Sequence, residues 1–186
     1  MQELQNLFDR CRKHEPKAQR ELYDLFKNRL MGLCRRYTAS REEAQDILQE
    51  SFIKIFTKIH QVASADKVEG WMKSVAVRTA IDFYHKSKRQ HERFEPGDAA
   101  VMNVEVASIN EISDEYLVML INHLPAKCRM VFNLFEVEGY SHTEIAAMMD
   151  ITESTSRSQL HYAKTLLKEK LRGIDRPNYY ERLARG

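Results

Sequence analysis

Residues 141–168 constrain this chain more than any other stretch. They read SHTEIAAMMD, then ITEST, then a basic run that begins at Ser156. Ser141 and Glu144 have the spacing of a capping box, which marks the start of a helix. Ile145, Ala146 and Met149 give that short helix one apolar side. Asp150 falls where the chain has to turn sharply, and Asp enters the left-handed backbone region more readily than most residues. Thr152 is placed to cap a second helix. On that helix Leu160, Ala163, Leu167 and Leu171 share one stripe, while Arg157, His161, Lys164 and Lys168 share a neighbouring one. A short helix, a tight turn and a helix with one buried and one basic side form the helix-turn-helix pattern, whose second helix enters the DNA major groove. A plain helical hairpin with a solvated charged face has the same periodicity, and DNA binding is the favoured reading of the two.

The rest of the chain is also suited to helices. Only 6 Gly and 4 Pro occur in 186 residues, and 30% of residues are charged. The 43% hydrophobic content is enough for compact cores in one or two domains. The net charge is +2, so any contact with nucleic acid comes from local basic patches. Cys11, Cys34 and Cys128 are far apart and odd in number, which argues against a disulfide framework or a zinc site and suits a reducing cytoplasm. The chain opens without a charged-then-apolar leader, and no apolar run approaches membrane-spanning length, so the expectation is a cytoplasmic protein with no membrane insertion.

Taken in order, Leu4, Leu7 and Phe8 begin an amphipathic helix that fades before Pro16. The next helix carries Leu22, Leu25, Phe26, Leu30 and Leu33 at core spacing, with Tyr23 and Tyr37. Ser40 and Glu43 suggest another capped start. In the helix that follows, Ala44, Ile47, Leu48, Ile55 and Ile59 line one face, with Phe52 at its margin. The opposite face holds Asp46, Gln49, Glu50 and Ile53. Ile53 is misplaced on a solvated surface, and an apolar residue ringed by acids and an amide resembles a docking surface for a basic partner. One stray exposed isoleucine is the bland alternative. Residues 60–70 read as a polar loop, and Trp71 opens a long helix buried on two sides. Its polar stripe includes Arg78, and its basic end runs HKSKRQHER over 85–93. Those cations complement the helix dipole; beside Trp71 and Tyr84 they also suit phosphates and unstacked bases. Residues 94–112 are acidic, broken by Pro96-Gly97 and without helical period, which reads as a flexible linker. A second helical domain follows, with Tyr116, Leu117, Leu120, Ile121 and Leu124 turned inward.

Two groups of segments together resemble one family. EAQDILQESFIKIF (43–56) and GWMKSVAVRTAIDF (70–83) resemble the first conserved domain of bacterial sigma factors of the extracytoplasmic-function type. LPAKCRMVF (124–132), EGYSHTEIA (138–146) and STSRSQLH (154–161) resemble the second. The resemblance implies an all-α fold: two small helical domains joined by a flexible linker, the C-terminal one carrying the helix-turn-helix. It divides the chain into an N-terminal sigma domain (1–93), the linker (94–112), the helix-turn-helix domain (113–175) and a tail (176–186).

The resemblance also implies roles. Asp46, Gln49, Glu50 and Ile53 match the face that docks on the largest subunit of RNA polymerase. The loop before Trp71, Trp71 itself, Arg78 and Thr79, with Lys86, Lys88 and Arg89, match positions that melt and hold the minus-ten promoter element. Ser154, Thr155, Arg157, Ser158, Gln159 and His161, with Lys164 on phosphate, match the reader of the minus-thirty-five element. Many members have Asn at Arg78, an apolar residue at Ser156 and Arg at Gln159, so this chain is expected to have its own sequence preference. The implied partners are core RNA polymerase, promoter DNA and an anti-sigma factor. No nucleophile–base pair, metal cluster or phosphate-cradling glycine loop stands out, so no catalysis and no cofactor are expected. Two other classes compete. A sigma mimic that only sequesters an anti-sigma factor would not need the DNA-facing cations, and a plain helix-turn-helix regulator would not need the Asp46–Ile53 face.

Overall fold

The computed structural model describes residues 2–62, 64–94 and 114–172. Contacts divide the chain into two compact units, Met1–Glu95 and Pro96–Gly186. The described residues of both units are helical, with no strand among them.

In the first unit α1 spans Gln2–Arg12, α2 Pro16–Tyr37, α3 Arg41–Lys58 and α4 Val68–Phe94. Pro16 stands at the start of α2, where its missing N–H costs nothing. Ser40 starts α3 by accepting a hydrogen bond from the Glu43 N–H at 3.1 Å. Helices α2, α3 and α4 pack on one another and α1 lies against α2. Phe8, Leu22, Leu30, Ile47, Ile55, Met72 and Val77 are almost completely excluded from water. Each such side chain contributes about 1.5–3 kcal/mol of hydrophobic stabilisation. The core spacing on α2 predicts Leu25 inside with its neighbours, but it is 53% exposed. It stands at the edge of the apolar stripe, where it lines an open groove with Leu4 and Leu7 of α1 and is not covered over.

The connection between α3 and α4 is more ordered than its polar composition predicts. Two short 3-10 turns, Ile59–Gln61 and Ala65–Lys67, punctuate it, and α4 begins at Val68 rather than at Trp71. Ile59, Val62, Ala65 and Val68 are buried. Ile59 completes the α3 core stripe as its period predicts, whereas Val62, Ala65 and Val68 are spread through a polar stretch that no periodicity announces; together they pin the connection to the core.

In the second unit α5 spans Asp114–Asn122, α6 Ala126–Phe132, α7 His142–Met149 and α8 Glu153–Arg172. A π-helical turn, Asn133–Val137, continues α6. Leu124, Cys128 and Ala163 form a buried cluster against Ile121, Phe132, Leu166 and Leu167. Leu117, expected inside, is 39% exposed. Buried Asn133 donates to the Arg129 carbonyl at 3.0 Å, and Arg129 donates to the Asn122 carbonyl at 2.6 Å. The Arg129 bond caps a carbonyl at the end of α5, and the Asn133 side chain adds a second bond to the Arg129 carbonyl, which also accepts the Asn133 N–H.

Phe94, the first residue of the expected linker, is the last residue of α4. The remainder of that segment, Ser113 and the tail 176–186 lie outside the described residues. Cys11, Cys34 and Cys128 are all buried and free. Burial pushes the Cys11 thiol up to about 11 and the Cys34 thiol up to about 12. Both therefore remain protonated and behave as packing groups.

Candidate functional site

The helix-turn-helix is built as its sequence requires. Ser141 and Glu144 form a complete capping box: the Glu144 N–H donates to Ser141 Oγ at 3.2 Å, and the Ser141 N–H donates to Glu144 Oε2 at 2.8 Å. The hydrogen bonds from Ser141 hold the Glu144 carboxyl below its ordinary value. Replacing Ser141 by Ala is expected to cost about 1 kcal/mol. Urea denaturation of the full chain, followed at the second unit's transition, measures it. Asp150 adopts the left-handed conformation with φ 53°. Thr152 then caps α8 by accepting from the Thr155 N–H at 3.0 Å.

A polar seam joins the two helices of the motif. Fully buried Ser156 meets His142 Nδ1 at 2.9 Å, and the His142 ring stacks on Phe135 with centroids 4.4 Å apart. Thr143 donates to Glu153 Oε1 at 2.8 Å, and Arg157 donates to Glu153 Oε2 at 3.1 Å. The Thr143 hydroxyl is the main reason the Glu153 carboxyl lies below its ordinary value. Desolvation, followed by the positive Arg157, lowers the pKa of His142. The fold therefore favours neutral His142. Its contribution is complete above the ordinary value of 6.5 and is lost as the pH falls below it. The difference in urea midpoint between the parent and His142→Gln is expected to shrink on acidification from neutral pH. A constant difference would show that His142 does not titrate against the seam.

On α8 the outward side carries Ser154, Arg157, Ser158, His161, Lys164 and Lys168, all exposed. Thr155 is half-buried beside them. Lys164 is paired with Glu136 at 2.7 Å. Gln159 departs from expectation. It lies toward the buried side, where its Oε1 accepts from Cys128 Sγ at 2.9 Å. Two turns of helix separate Ser156 from Ala163, and half-buried Gln159 falls between them near the packed side, with its amide oxygen already occupied. Tyr162 was not among the expected residues, although it is 47% exposed beside Ser158. Its position off the Leu160–Ala163 stripe was the available signal.

In the first unit Asp46, Gln49 and Ile53 are exposed and Glu50 is half-buried. Ile53 is 61% exposed. Lys54 reaches from this helix to Asp82 of α4 at 2.9 Å and lies 3.9 Å from Glu50. On α4, Trp71, Arg78 and Arg89 follow one line along the helix: Trp71 is half-buried and the two arginines are exposed. Lys86 and Lys88 are exposed to either side of that line. Thr79 is corrected by the structure. It is 0% exposed, and its hydroxyl donates to the Val75 carbonyl at 2.9 Å. Its position on the Met72–Val75 side turns it into the core, so it offers no contact surface.

Among the described residues no helix is long and apolar enough to cross a membrane. The chain matches the family model described as sigma-70 region 2 over residues 22–90 and that described as sigma-70, region 4 over residues 114–167. It is 29% identical over 184 residues to the ECF RNA polymerase sigma-E factor of Salmonella typhimurium strain LT2, covering 92% of this chain and 96% of that protein. The protein of that name from Haemophilus influenzae is 27% identical over 183 residues, covering 91% of this chain and 96% of that one. A solved complex of the sigma factor RpoE with the anti-sigma factor NepR from Bartonella quintana matches the fold with a TM-score of 0.53 at 18% identity, covering 84% of this chain and 98% of that chain.

Proposed function

Since the chain belongs to the sigma-70 family, in its extracytoplasmic-function branch, we propose the following division of labour on its surface. The protein is an alternative sigma factor: it binds core RNA polymerase and directs it to specific promoters. The Asp46, Gln49, Glu50 and Ile53 face of α3 docks on the polymerase. The line of Trp71, Arg78 and Arg89 on α4, with Lys86 and Lys88 on phosphate, holds the opened minus-ten element. The outward side of α8 reads the minus-thirty-five element, with Ser154, Thr155, Arg157, Ser158 and His161 toward bases and Lys164 toward phosphate.

The observation that carries this reading is Ile53. A large apolar side chain, 61% exposed amid two carboxylates and an amide, stands opposite a complete core stripe and has no role in the fold. A DNA-binding regulator acting alone has no use for it. The physical sequence of events follows from the two surfaces. Opening a duplex costs stacking and pairing energy, and stacking plus phosphate contacts on the released strand offset that cost. Bond making stays with the polymerase, so the chain acts as an initiation factor and not as an enzyme. Its place of work is the bacterial cytoplasm, and an anti-sigma factor holds it inactive there.

Run-off transcription with core polymerase over genomic DNA tests the whole reading. Discrete transcripts that depend on the added protein are expected. Retention of core polymerase without any transcript would instead fit a mimic, and DNA binding without retention of polymerase would fit a separate regulator.

A further inference from the structure

We propose that α1 is a splint for the connection between α3 and α4, and that Gln5 and Arg12 position that connection for single-strand recognition. This deepens the function proposed above: it rests on that reading of the α4 surface, extended to the loop before Trp71, which the family resemblance assigns to the same minus-ten element.

The grip has two points. Gln5 Nε2 donates toward both Asp9 carboxylate oxygens at 3.2 Å. That contact fixes the orientation of the amide and leaves Gln5 Oε1 to accept from the Ala65 N–H at 3.3 Å. Two helical turns further along the same side of α1, Arg12 donates to the His60 carbonyl at 3.1 Å. The Arg12 guanidinium lies over the Phe8 ring, 5.3 Å from its centroid. Phe8 is completely buried between the two grips, so α1 is anchored in the core while it holds the connection.

Both grips fall on backbone atoms, one in each of the turns Ile59–Gln61 and Ala65–Lys67. The turns' own bonds are local: the Val62 N–H donates to the Ile59 carbonyl and the Lys67 N–H to the Ser64 carbonyl, each at 3.2 Å, the Val68 N–H donates to the Ala65 carbonyl, and Ser64 bonds to Asp66. The α1 bonds engage only the main chain; the Asp66 and Lys67 side chains are exposed, with the Asp66 carboxylate oriented by its hydrogen bond from Ser64. A recognition surface held in advance loses less conformational entropy when a base binds, and it discriminates better between bases. Gln5 and Arg12 act through the connection and touch no nucleotide themselves.

The test uses the full chain assembled with core polymerase and a pool of short random single-stranded DNA, with the bound fraction sequenced. The Gln5→Met, Arg12→Met double variant is expected to lose about 3- to 10-fold of the parent's base enrichment, the scale of one or two lost hydrogen bonds. Its affinity for polymerase is expected to stay unchanged. Gln5→Glu combined with Asp9→Asn, which exchanges the amide and the carboxylate between the two positions and keeps an acceptor for the Ala65 N–H, should restore most of the enrichment lost in Gln5→Met. Unchanged enrichment in the double variant would overturn the proposal. So would a loss matched by an equal loss of polymerase binding, because that is general destabilisation. Asp66→Ala with Lys67→Ala separates the two layers of argument. If that pair alters enrichment and the α1 variants do not, only the splint fails; if neither does, the reading of the connection has failed beneath it. Should the double variant not fold, Gln5→Met alone decides the question by the same criteria.

Discussion

Replacing Ile53 by Lys is expected to weaken binding to core RNA polymerase by about 2 kcal/mol or more, roughly thirtyfold. An apolar residue at the centre of a docking face, ringed by polar groups that exclude water, has the features of an interface hot spot. Lysine replaces its apolar contact with a charge and, against a basic partner, adds repulsion. The fold has no stake in the change, since Ile53 is 61% exposed. The thermal midpoint and helicity of the variant should therefore match the parent, and any loss is a loss of partner binding. Leu25→Lys is the matched control. Leu25 is 53% exposed on α2 of the same unit, away from the acidic face. If both variants lose polymerase binding equally, the effect is not specific to the α3 face. If Ile53→Lys binds as the parent does, the assignment of that face is wrong.

Arg157→Ala is expected to cost about 1–3 kcal/mol on the matched promoter and to relax preference at one base position. Arg157 lies in the first turns of α8, where side chains of a recognition helix reach base edges. In the free protein it is extended along Glu153, which is itself tethered to Thr143 across the turn. The pair is exposed, so its own contribution to stability is small. DNA can therefore take Arg157 from Glu153 at little cost. Lys164 differs, because its partner Glu136 lies on another element at 2.7 Å. Lys164→Ala should weaken all sequences alike and lower the salt slope by about one unit. Titration of the holoenzyme onto matched and single-substituted promoter duplexes at several salt concentrations separates the two behaviours. An equal loss on both duplexes with a shallower slope would make Arg157 a phosphate contact. Base reading would then pass to Ser154, Ser158 and His161, with Tyr162 beside them.

The helical content and the caps at Ser40, Ser141 and Thr152 were legible from sequence alone, as were the left-handed turn at Asp150 and the outward position of Ile53 on α3. Each is a local property. A cap depends on residues three apart, a helix face on a fixed angular period, and a left-handed turn on the tolerance of one side chain. The same reasoning chose Leu25 and Leu117 for the core, and both are exposed. Periodicity gives the direction of a side chain but not whether another helix reaches it. Thr79 failed in the opposite sense. The family resemblance alone suggested a contact, whereas the helical period set it beside Met72, Val75 and Phe83, the side over which the packing of α4 closed.

The tertiary structure alone decided which polar groups were already occupied. Gln159 bonds to Cys128, Ser156 to His142 and Lys164 to Glu136, over separations of 31, 14 and 28 residues. The grip of α1 on the α3–α4 connection spans 60 residues at Gln5 and 48 at Arg12. No period or short motif encodes such pairs, because they depend on where separate helices come to rest once their apolar faces are buried. For this protein the sequence by itself determined which surfaces exist and their sign. Packing determined which side chains on those surfaces remain available to polymerase and DNA, because a donor or carboxylate already bonded within the fold must give up that bond before it can serve a partner.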